Sequence, residues 1–255
     1  MAIPWQFRRV LCQAVSPATL LLAAEAWAAP PALAASEVLP AGIVAVEPWA
    51  ATAGDRQGLG FLVFDQISQL SSRPIKATAL PLPRLLNELK GGSVALAVLA
   101  ATDDRDVFAE RVCELGKFTF GLAIPKSSKG PRTLPELSGK TYAMIRGVHN
   151  HVLPQLTSMK PYPVTNMTQG FSMLSMSRVD AAICVRPGCA SAMRNTRVSA
   201  DDMDYLPLLS LPIVIYATKA SRGWPDFEAL KAGLKERCAG KEAQTAFAAL
   251  LAQFD

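Results

Sequence analysis

From residue 38 onward, short apolar runs alternate with segments whose apolar residues recur at helical spacing. The runs over residues 38–46, 75–80 and 94–100 predict strands, and the last is continuously apolar, as in a strand buried on both faces. Between them, helical spacing of apolar side chains predicts helices over residues 61–70 and 83–90. This β-α-β-α-β order indicates a parallel-type sheet with helices on both sides.

The second half of the chain repeats the alternation after a polar stretch at residues 126–132, which indicates a crossing between lobes. Apolar or extended segments predict strands over residues 118–124, 141–145, 163–165, 179–185 and 205–216. Helical spacing predicts helices over residues 149–159, 168–177 and 190–197, and one long helix over residues 226–254. The expected fold class is therefore α/β.

The first residues have the order of regions of a secretory signal peptide. Arg8 and Arg9 form a basic region, an apolar run follows to about Ala24, and Ala32-Leu33-Ala34 fits a cleavage site. The alternative is an uncleaved anchor, but the apolar run is short and interrupted for a membrane span of about 20 residues. We expect residues 1–34 to be removed and the mature chain to be periplasmic. The formal charge then falls from +5 to +4, since two Arg and one Glu are lost.

Charge and histidine usage exclude several function classes. The small positive excess is spread along the chain, without a Lys/Arg block or a basic motif interleaved with aromatic residues, so we expect no nucleic-acid partner. The only two histidines, His149 and His151, lie far from the cysteines in sequence, which disfavours a zinc site. No Gly-rich phosphate loop or nucleophile elbow is present. We expect no metal and no cofactor.

Four cysteines remain after the predicted cleavage. Cys184 and Cys189 flank a Pro-Gly turn, which can bring their thiols within bridging distance. Cys113 and Cys238 would then be the remaining pair. The alternative is that some of the four are buried free thiols.

Five motifs occur in an order that is typical of one known family. They are Glu47-Pro48-Trp49 followed by residues 58–65 (GLGFLVFD), residues 83–92 (PRLLNELKGG), residues 102–105 (TDDR), residues 134–143 (LPELSGKTYA) and residues 177–182 (SRVDAA). In this order, and behind a signal peptide, they resemble the type 2 periplasmic binding fold, specifically extracellular solute-binding proteins of family 3, the amino-acid type. The resemblance covers most of residues 38–251.

The resemblance implies a two-lobed clamp in which each lobe is a sheet flanked by helices. Lobe 1 would comprise residues 35–122 and 216–255, and lobe 2 residues 123–215, with hinge crossovers near residues 121–125 and 212–216. Such a protein captures a small anionic or amino-acid-like ligand by hinge closure, hands it to an ABC transporter in the membrane and catalyses nothing. We expect a monomer whose partners are a small ligand and a transporter permease.

Arg105 is the first candidate for ligand binding. It follows a predicted buried strand, where the carboxyl end of a sheet faces a cleft, and a guanidinium can bind a carboxylate through two hydrogen bonds. The resemblance implies that this Arg holds the ligand carboxylate and that Thr102 adds a hydroxyl. The alternative is a surface Arg paired with a neighbouring Asp.

Other candidates follow predicted strands of both halves. Trp49, after the first strand, is a candidate for stacking on the ligand, with Glu47 beside it, although Trp49 is equally a candidate for lobe-edge packing. The loop after the strand at residues 141–145 contributes Gly147, Val148, His149 and Asn150. Its backbone N–H groups can bind an anion at the start of the predicted helix, while an ordinary cap by Asn150 is the alternative.

One departure from the family pattern concerns the ligand class. Amino-acid binders of this family place an acidic residue after the strand that ends near residue 185, where it holds the ligand ammonium. Here Ile183-Cys184-Val185-Arg186 contains no carboxylate. Arg146 and Arg186 instead suit a further negative group, so we expect a carboxylate or another anion without an ammonium. Solvated surface charge is the alternative for each Arg.

Two other function classes stay open from the sequence. A dehydratase-like enzyme on the same fold needs an acid/base pair in the cleft, for which only Glu47 with His149 is available. An accessory protein that keeps the clamp and binds a periplasmic protein partner, such as an oxidoreductase, also fits the departures around residues 102–105 and 183–186.

Overall fold

The structure is a computed structural model that describes residues 38–50, 56–126, 133–146, 154–220 and 223–254. Strands β1 to β8 in these ranges are Leu39–Val44, Ile75–Leu80, Leu96–Ala100, Ala109–Pro125, Thr141–Ile145, Lys160–Val164, Ala181–Arg186 and Met203–Thr218. Helices α1 to α7 are Leu59–Ser71, Leu82–Lys90, Asp103–Asp106, Met167–Ser175, Cys189–Arg194, Phe227–Ala239 and Lys241–Ala252. Short 3-10 turns cover Pro135–Leu137, Pro154–Leu156 and Ala200–Asp202. The expected signal peptide at residues 1–34 lies outside the described residues.

All eight strands form one sheet in the order β2-β1-β3-β8-β4-β7-β5-β6. Parallel pairs join β1 to β2 and β3, and likewise β5 to β6 and β7. Antiparallel pairs join β3 to β8 and β4 to both β7 and β8. The order β2-β1-β3-β8 therefore mirrors β6-β5-β7-β4. We call the part built on β1–β3 the first half and the part built on β5–β7 the second half.

The two longest strands, β4 and β8, run antiparallel through both halves. In the first half β8 pairs with β3 over Ile213–Ala217, and in the second half β4 pairs with β7 over Thr119–Ala123. The change of partner falls between Gly116, paired with Ile213, and Thr119, paired with Ser210. The chain therefore passes from one half to the other along this ladder.

Helices α1 and α2 each bury one face against the sheet. In α2, Leu85 and Leu89 are fully buried, Pro83 lies in the first turn, where its missing N–H costs no helical hydrogen bond, and Gly91-Gly92 follows the last turn. In α1, Phe64 and Ile67 are buried in the same way. Within the described ranges, no helix is long and apolar enough to cross a membrane.

Three segments differ from the sequence prediction. The long C-terminal helix is two helices, because Gly240 between them has an extended backbone with φ −66° and ψ 143°. Strand β4 begins at Ala109 and not at residue 118; its first part contains register shifts that interrupt the alternation of buried and exposed side chains. The helix predicted at residues 149–159 is wrong for its described part, where a 3-10 turn, Pro154–Leu156, precedes β6 at Lys160.

Two disulfides are present among the described residues. Cys113–Cys238 joins β4 to α6 across a sequence separation of 125 residues. Cys184–Cys189 joins β7 to the start of α5 across a separation of 5 residues. The first therefore ties the C-terminal helices to the sheet, whereas the second closes a short loop.

The loop lengths predict unequal contributions to stability. In the chain-entropy description, the Cys113→Ala/Cys238→Ala variant should lose about 5 kcal/mol of unfolding free energy and the Cys184→Ala/Cys189→Ala variant about 2 kcal/mol, because a longer closed loop restricts the unfolded chain more. Denaturant unfolding of the oxidised protein and both variants measures the two losses. Equal losses, or a larger loss from the short loop, would contradict this ranking.

Candidate functional site

A pocket of about 680 Å³ lies where parallel strands of both halves reach their carboxyl ends. In the first half its lining residues lie at the ends of β1 and β3 or follow β1, β2 and β3, and in the second half they lie at the ends of β5 and β7 or follow β5 and β6. The remaining wall comes from Phe118, Phe120 and Leu211 on β4 and β8. Ligand sites form at such strand ends in open α/β sheets, since loops and helix starts converge there. This pocket is therefore the candidate site.

The loop after β1 presents Glu47 and Trp49 to the pocket. Backbone N–H groups of Leu59 and Gly60, at the start of α1, donate to the carbonyl oxygens of Pro48 at 2.7 Å and Trp49 at 2.9 Å. A Cβ atom on Gly60 would lie 2.8 Å from the Trp49 carbonyl oxygen, so glycine permits this close approach. The unpaired N–H groups of a helix start thus hold the loop in place.

Arg105 lies in α3, directly after β3, and is half-buried in the pocket wall. Its guanidinium donates to the carbonyl oxygen of Ala100. Burial lowers the pKa of Arg105, and nearby Tyr216 and Asp104 partly offset this effect. Among the described residues, no carboxylate forms an ion pair with it. Arg105 is therefore a partly desolvated cation that lines the pocket and forms no salt bridge with the described residues.

A polar network fixes the short helix that carries Arg105. The buried Tyr216 hydroxyl donates to the Asp106 carboxylate at 2.9 Å and accepts from the Thr102 N–H at 3.2 Å. Arg111 binds the same carboxylate through two hydrogen bonds. The bonded Arg111 lowers the pKa of Asp106, whereas burial raises the pKa of Tyr216. Asp106 is therefore an anion and Tyr216 a neutral donor, and together they hold both ends of α3.

An aromatic row extends along the apolar wall of the pocket. The ring centroids of Trp49 and Phe118 are 4.9 Å apart at an interplanar angle of 80°. The rings of Phe118 and Phe120 are 6.0 Å apart at 61°. Edge-to-face contacts of this kind stabilise aromatic pairs beyond the area they bury. Residues i and i+2 of β4 thus share a face that is directed toward the pocket.

The two halves also touch beside the pocket. The Thr168 hydroxyl, in the first turn of α4, donates to Glu47 Oε1 at 3.2 Å. Glu47 Oε2 is buried and accepts no hydrogen bond from the described residues. In addition, the Gly188 N–H donates to the Phe254 carbonyl oxygen at 3.1 Å. The loop that follows β1 and the C-terminal residues thus contact the second half directly.

Four of the predicted site residues line this pocket together: Glu47, Trp49, Thr102 and Arg105. Arg146, which the sequence suggested for a further negative group, also lines it and is exposed. The predicted residues Gly147, Val148, His149 and Asn150 lie outside the described residues. Because His149 is one of them, the suggested acid/base pair of Glu47 with His149 also lies outside the described residues.

The structure places Arg186 away from this pocket. Its guanidinium lies 4.0 Å from the centroid of the Tyr205 ring and lines a separate cavity of about 290 Å³ in the second half. Val185, its neighbour, lines the candidate site instead, because successive side chains of a strand point to opposite faces. The structure therefore does not bring Arg186 to the candidate site. The side chain of the preceding residue, Val185, faces that site.

Several lining residues were not predicted from the sequence. They are apolar side chains such as Leu86, Phe108, Phe118 and Phe120, and the polar pair Asn87 and Lys90 on α2. The spacing Phe-Thr-Phe at residues 118–120 was the available signal, since alternate residues of a strand share a face. The Asp106–Tyr216 pairing joins residues 110 positions apart and leaves no local signal.

Sequence comparisons do not assign the chain to a group of proteins. No protein-family model matches it. No curated protein sequence matches it either.

The fold, in contrast, is shared with solved structures. The substrate-binding protein of an amino acid ABC transporter superposes with a TM-score of 0.66, covering 85% of this chain and 98% of that chain at 12% identity. The periplasmic VFT2 domain of BvgS from Bordetella pertussis superposes with a TM-score of 0.67, covering 86% of this chain and 93% of that chain at 16% identity. The GluR0 ligand-binding core from Nostoc punctiforme, in complex with L-glutamate, superposes with a TM-score of 0.68, covering 85% of this chain and 98% of that chain at 13% identity. The predicted fold class, the two-lobed clamp of type 2 periplasmic binding proteins, is confirmed.

The contact at Gly188 predicts a specific sensitivity to added volume. A Cβ atom there would lie 2.1 Å from Pro48 Cδ, and φ is +120°. Gly139 is the matched control, because its φ is +75° but no atom lies within 4 Å of an added Cβ. Gly139→Ala should cost about 1–2 kcal/mol of unfolding free energy through backbone strain alone.

Gly188→Ala should cost a further 1–3 kcal/mol, roughly, because the methyl group overpacks the contact between the halves and because φ +120° is more strained for alanine than φ +75°. Denaturant unfolding measures both losses, and small-angle X-ray scattering should show a larger radius of gyration for Gly188→Ala only. Identical losses and identical radii for the two variants would show that Pro48 and Gly188 do not hold the halves together.

Proposed function

We propose that this chain is a solute-binding protein that encloses a small carboxylate ligand between its two halves. The observation that carries the proposal is Arg105, a half-buried cation in the shared pocket that forms no salt bridge with the described residues. Removing a cation from water is unfavourable unless an anion compensates for the lost hydration. A ligand carboxylate supplies that charge and satisfies the planar donors of the guanidinium.

The position of the pocket supports capture by closure. Its walls come from both halves, which are connected by β4 and β8, so a ligand that contacts both favours the closed arrangement over an open one. A ligand can shift such an equilibrium only through contacts that differ between the two arrangements. Arg105 and Trp49 contribute from the first half, and Ile145, Arg146 and Val185 from the second.

We assign individual roles on this basis. Arg105 binds the ligand carboxylate, and Thr102 contributes a hydroxyl beside it. Trp49 packs against the body of the ligand. Glu47, which accepts from Thr168 through one oxygen, links the two halves at the edge of the pocket. The backbone of residues 147–150 follows β5 and is proposed to complete the anion site.

The biological setting is part of the same proposal. The solved structures of similar fold include an amino acid ABC transporter's substrate-binding protein and a ligand-binding core in complex with L-glutamate. Together with the five sequence motifs, they support membership of solute-binding family 3, with delivery to an ABC transporter. The predicted signal peptide at residues 1–34 supports a periplasmic location. Lobes at residues 35–122 with 216–255, and at 123–215, and a monomeric state complete the proposal.

The role of Arg105 predicts a loss of acid binding on its removal. Isothermal titration calorimetry of the purified protein against monocarboxylates, dicarboxylates and amino acids should identify at least one acid that binds. Arg105→Ala should weaken that acid by about 2–5 kcal/mol, because a partly desolvated ion pair is lost, and Arg105→Lys by less.

Arg178→Ala is the control, since Arg178 is exposed, lies in the second half and does not line the pocket. It should leave the affinity unchanged while removing the same formal charge. Acid binding that survives in Arg105→Ala would refute the role of Arg105. If none of the acids binds the unmodified protein, the proposed function fails as a whole.

A further inference from the structure

We infer that the ligand is a monocarboxylate with an apolar body, ring-bearing or branched, and not a dicarboxylate. This inference deepens the proposed function and rests on it. It concerns the walls of the pocket beyond Arg105, which no comparison addresses.

The walls of the pocket are mostly hydrocarbon. Aliphatic side chains come from Val44 at the end of β1 and Val46 after it, Leu86 on α2, and Ile145 and Val185 in the second half. These residues are buried or half-buried. Their contact surface offers no hydrogen bond to a polar ligand group, so polar atoms placed there lose their hydration without compensation.

The aromatic row gives one wall a defined shape. Trp49, Phe118 and Phe120 are each less than 10% exposed and contact one another edge to face. Their side chains are therefore held in place before a ligand arrives, which lowers the ordering cost of binding. A flat or branched hydrocarbon body matches this surface better than a hydrated chain does.

Among the described lining residues, the charges favour one anionic group in the interior of the pocket. Arg105 is the half-buried cation there, whereas Lys90, Asp104 and Arg146 are exposed. The other half-buried charged side chain of the described lining is Glu47, whose buried oxygen Oε2 would repel a second carboxylate. A dicarboxylate would thus bury one charge without a partner, which is costly.

The size of the pocket agrees with this class of ligand. Its volume of about 680 Å³ lies within the range of sites that enclose ligands with substantial apolar surface. A two-carbon acid would leave most of the apolar wall in contact with water. Each additional methylene group that the ligand buries in the pocket increases its affinity by about four-fold, because apolar surface is removed from water.

The test compares acids that differ in their body and in their number of carboxylates. Isothermal titration calorimetry of the purified protein measures the affinities for acetate, glutarate, 4-methylpentanoate and 3-phenylpropionate at one pH and salt concentration. The expected order has 3-phenylpropionate and 4-methylpentanoate at least ten-fold tighter than glutarate. Their binding should also show a more negative heat-capacity change, the signature of apolar burial.

Variants of the aromatic row localise the effect. Phe118→Ala should lower the affinity for 3-phenylpropionate at least ten-fold and should change the affinities for glutarate and acetate little. Phe118→Leu keeps most of the apolar volume and should lose less, which preserves the test if the Ala variant does not fold. Phe247→Leu is the matched control, because Phe247 is fully buried on α7 and does not line the pocket.

The outcomes separate this inference from the proposed function. If glutarate binds as tightly as 3-phenylpropionate, or more tightly, and loses affinity in Arg105→Ala, the function stands and the apolar ligand class is overturned. If Phe118→Leu and Phe247→Leu weaken 3-phenylpropionate equally, the aromatic wall is not a ligand surface. If no acid binds, both the inference and the function on which it rests are overturned.

Discussion

The antiparallel ladder between β4 and β8 is the constraint on which the rest of the structure depends. It pairs Ala109–Pro125 with Met203–Thr218 and supplies the central strands of the single sheet. On one side β8 pairs with β3, and on the other side β4 pairs with β7. Two similar parallel units are thereby held with the carboxyl ends of their strands at a common pocket. This shared ladder brings Arg105 of the first half and Ile145 of the second half to the same pocket.

The chemistry of the pocket follows from what the two units place there. Short loops and helix starts after β1 and β3 contribute Glu47, Trp49 and Arg105. Hydrogen bonds within the first half hold the Trp49 loop and Arg105, whereas the Glu47 carboxylate accepts from Thr168 of the second half. The ladder contributes Phe118 and Phe120, whose side chains share one strand face. One half-buried cation among apolar walls can select an acid by charge and its body by hydrocarbon contact. Charge and shape recognition thus come from different elements of the same fold.

Much of the fold was predictable because its elements follow local rules. The parallel strands Ile75–Leu80 and Thr141–Ile145 match their predicted ranges. The second of these is largely buried, and buried strands show as short apolar runs. Strand β4 was only half predicted, because its bulges interrupt the alternating pattern near Cys113 and Gly116. In the site, loops directly after strands identified Trp49 and Arg105 as candidates. Arg186 was misplaced because the face of a strand depends on its register, and the Tyr216–Asp106 pairing depends on tertiary structure alone.

The central claim is that the two halves enclose an acid held by Arg105, and the most direct measurement is a crystal structure of the protein with 3-phenylpropionate. We expect the carboxylate to lie within hydrogen-bond distance of the Arg105 guanidinium and the ring to pack against Trp49 and Phe118. We also expect residues of both halves to contact the ligand. A ligand bound outside this pocket, or one whose carboxylate lies away from Arg105, would contradict it.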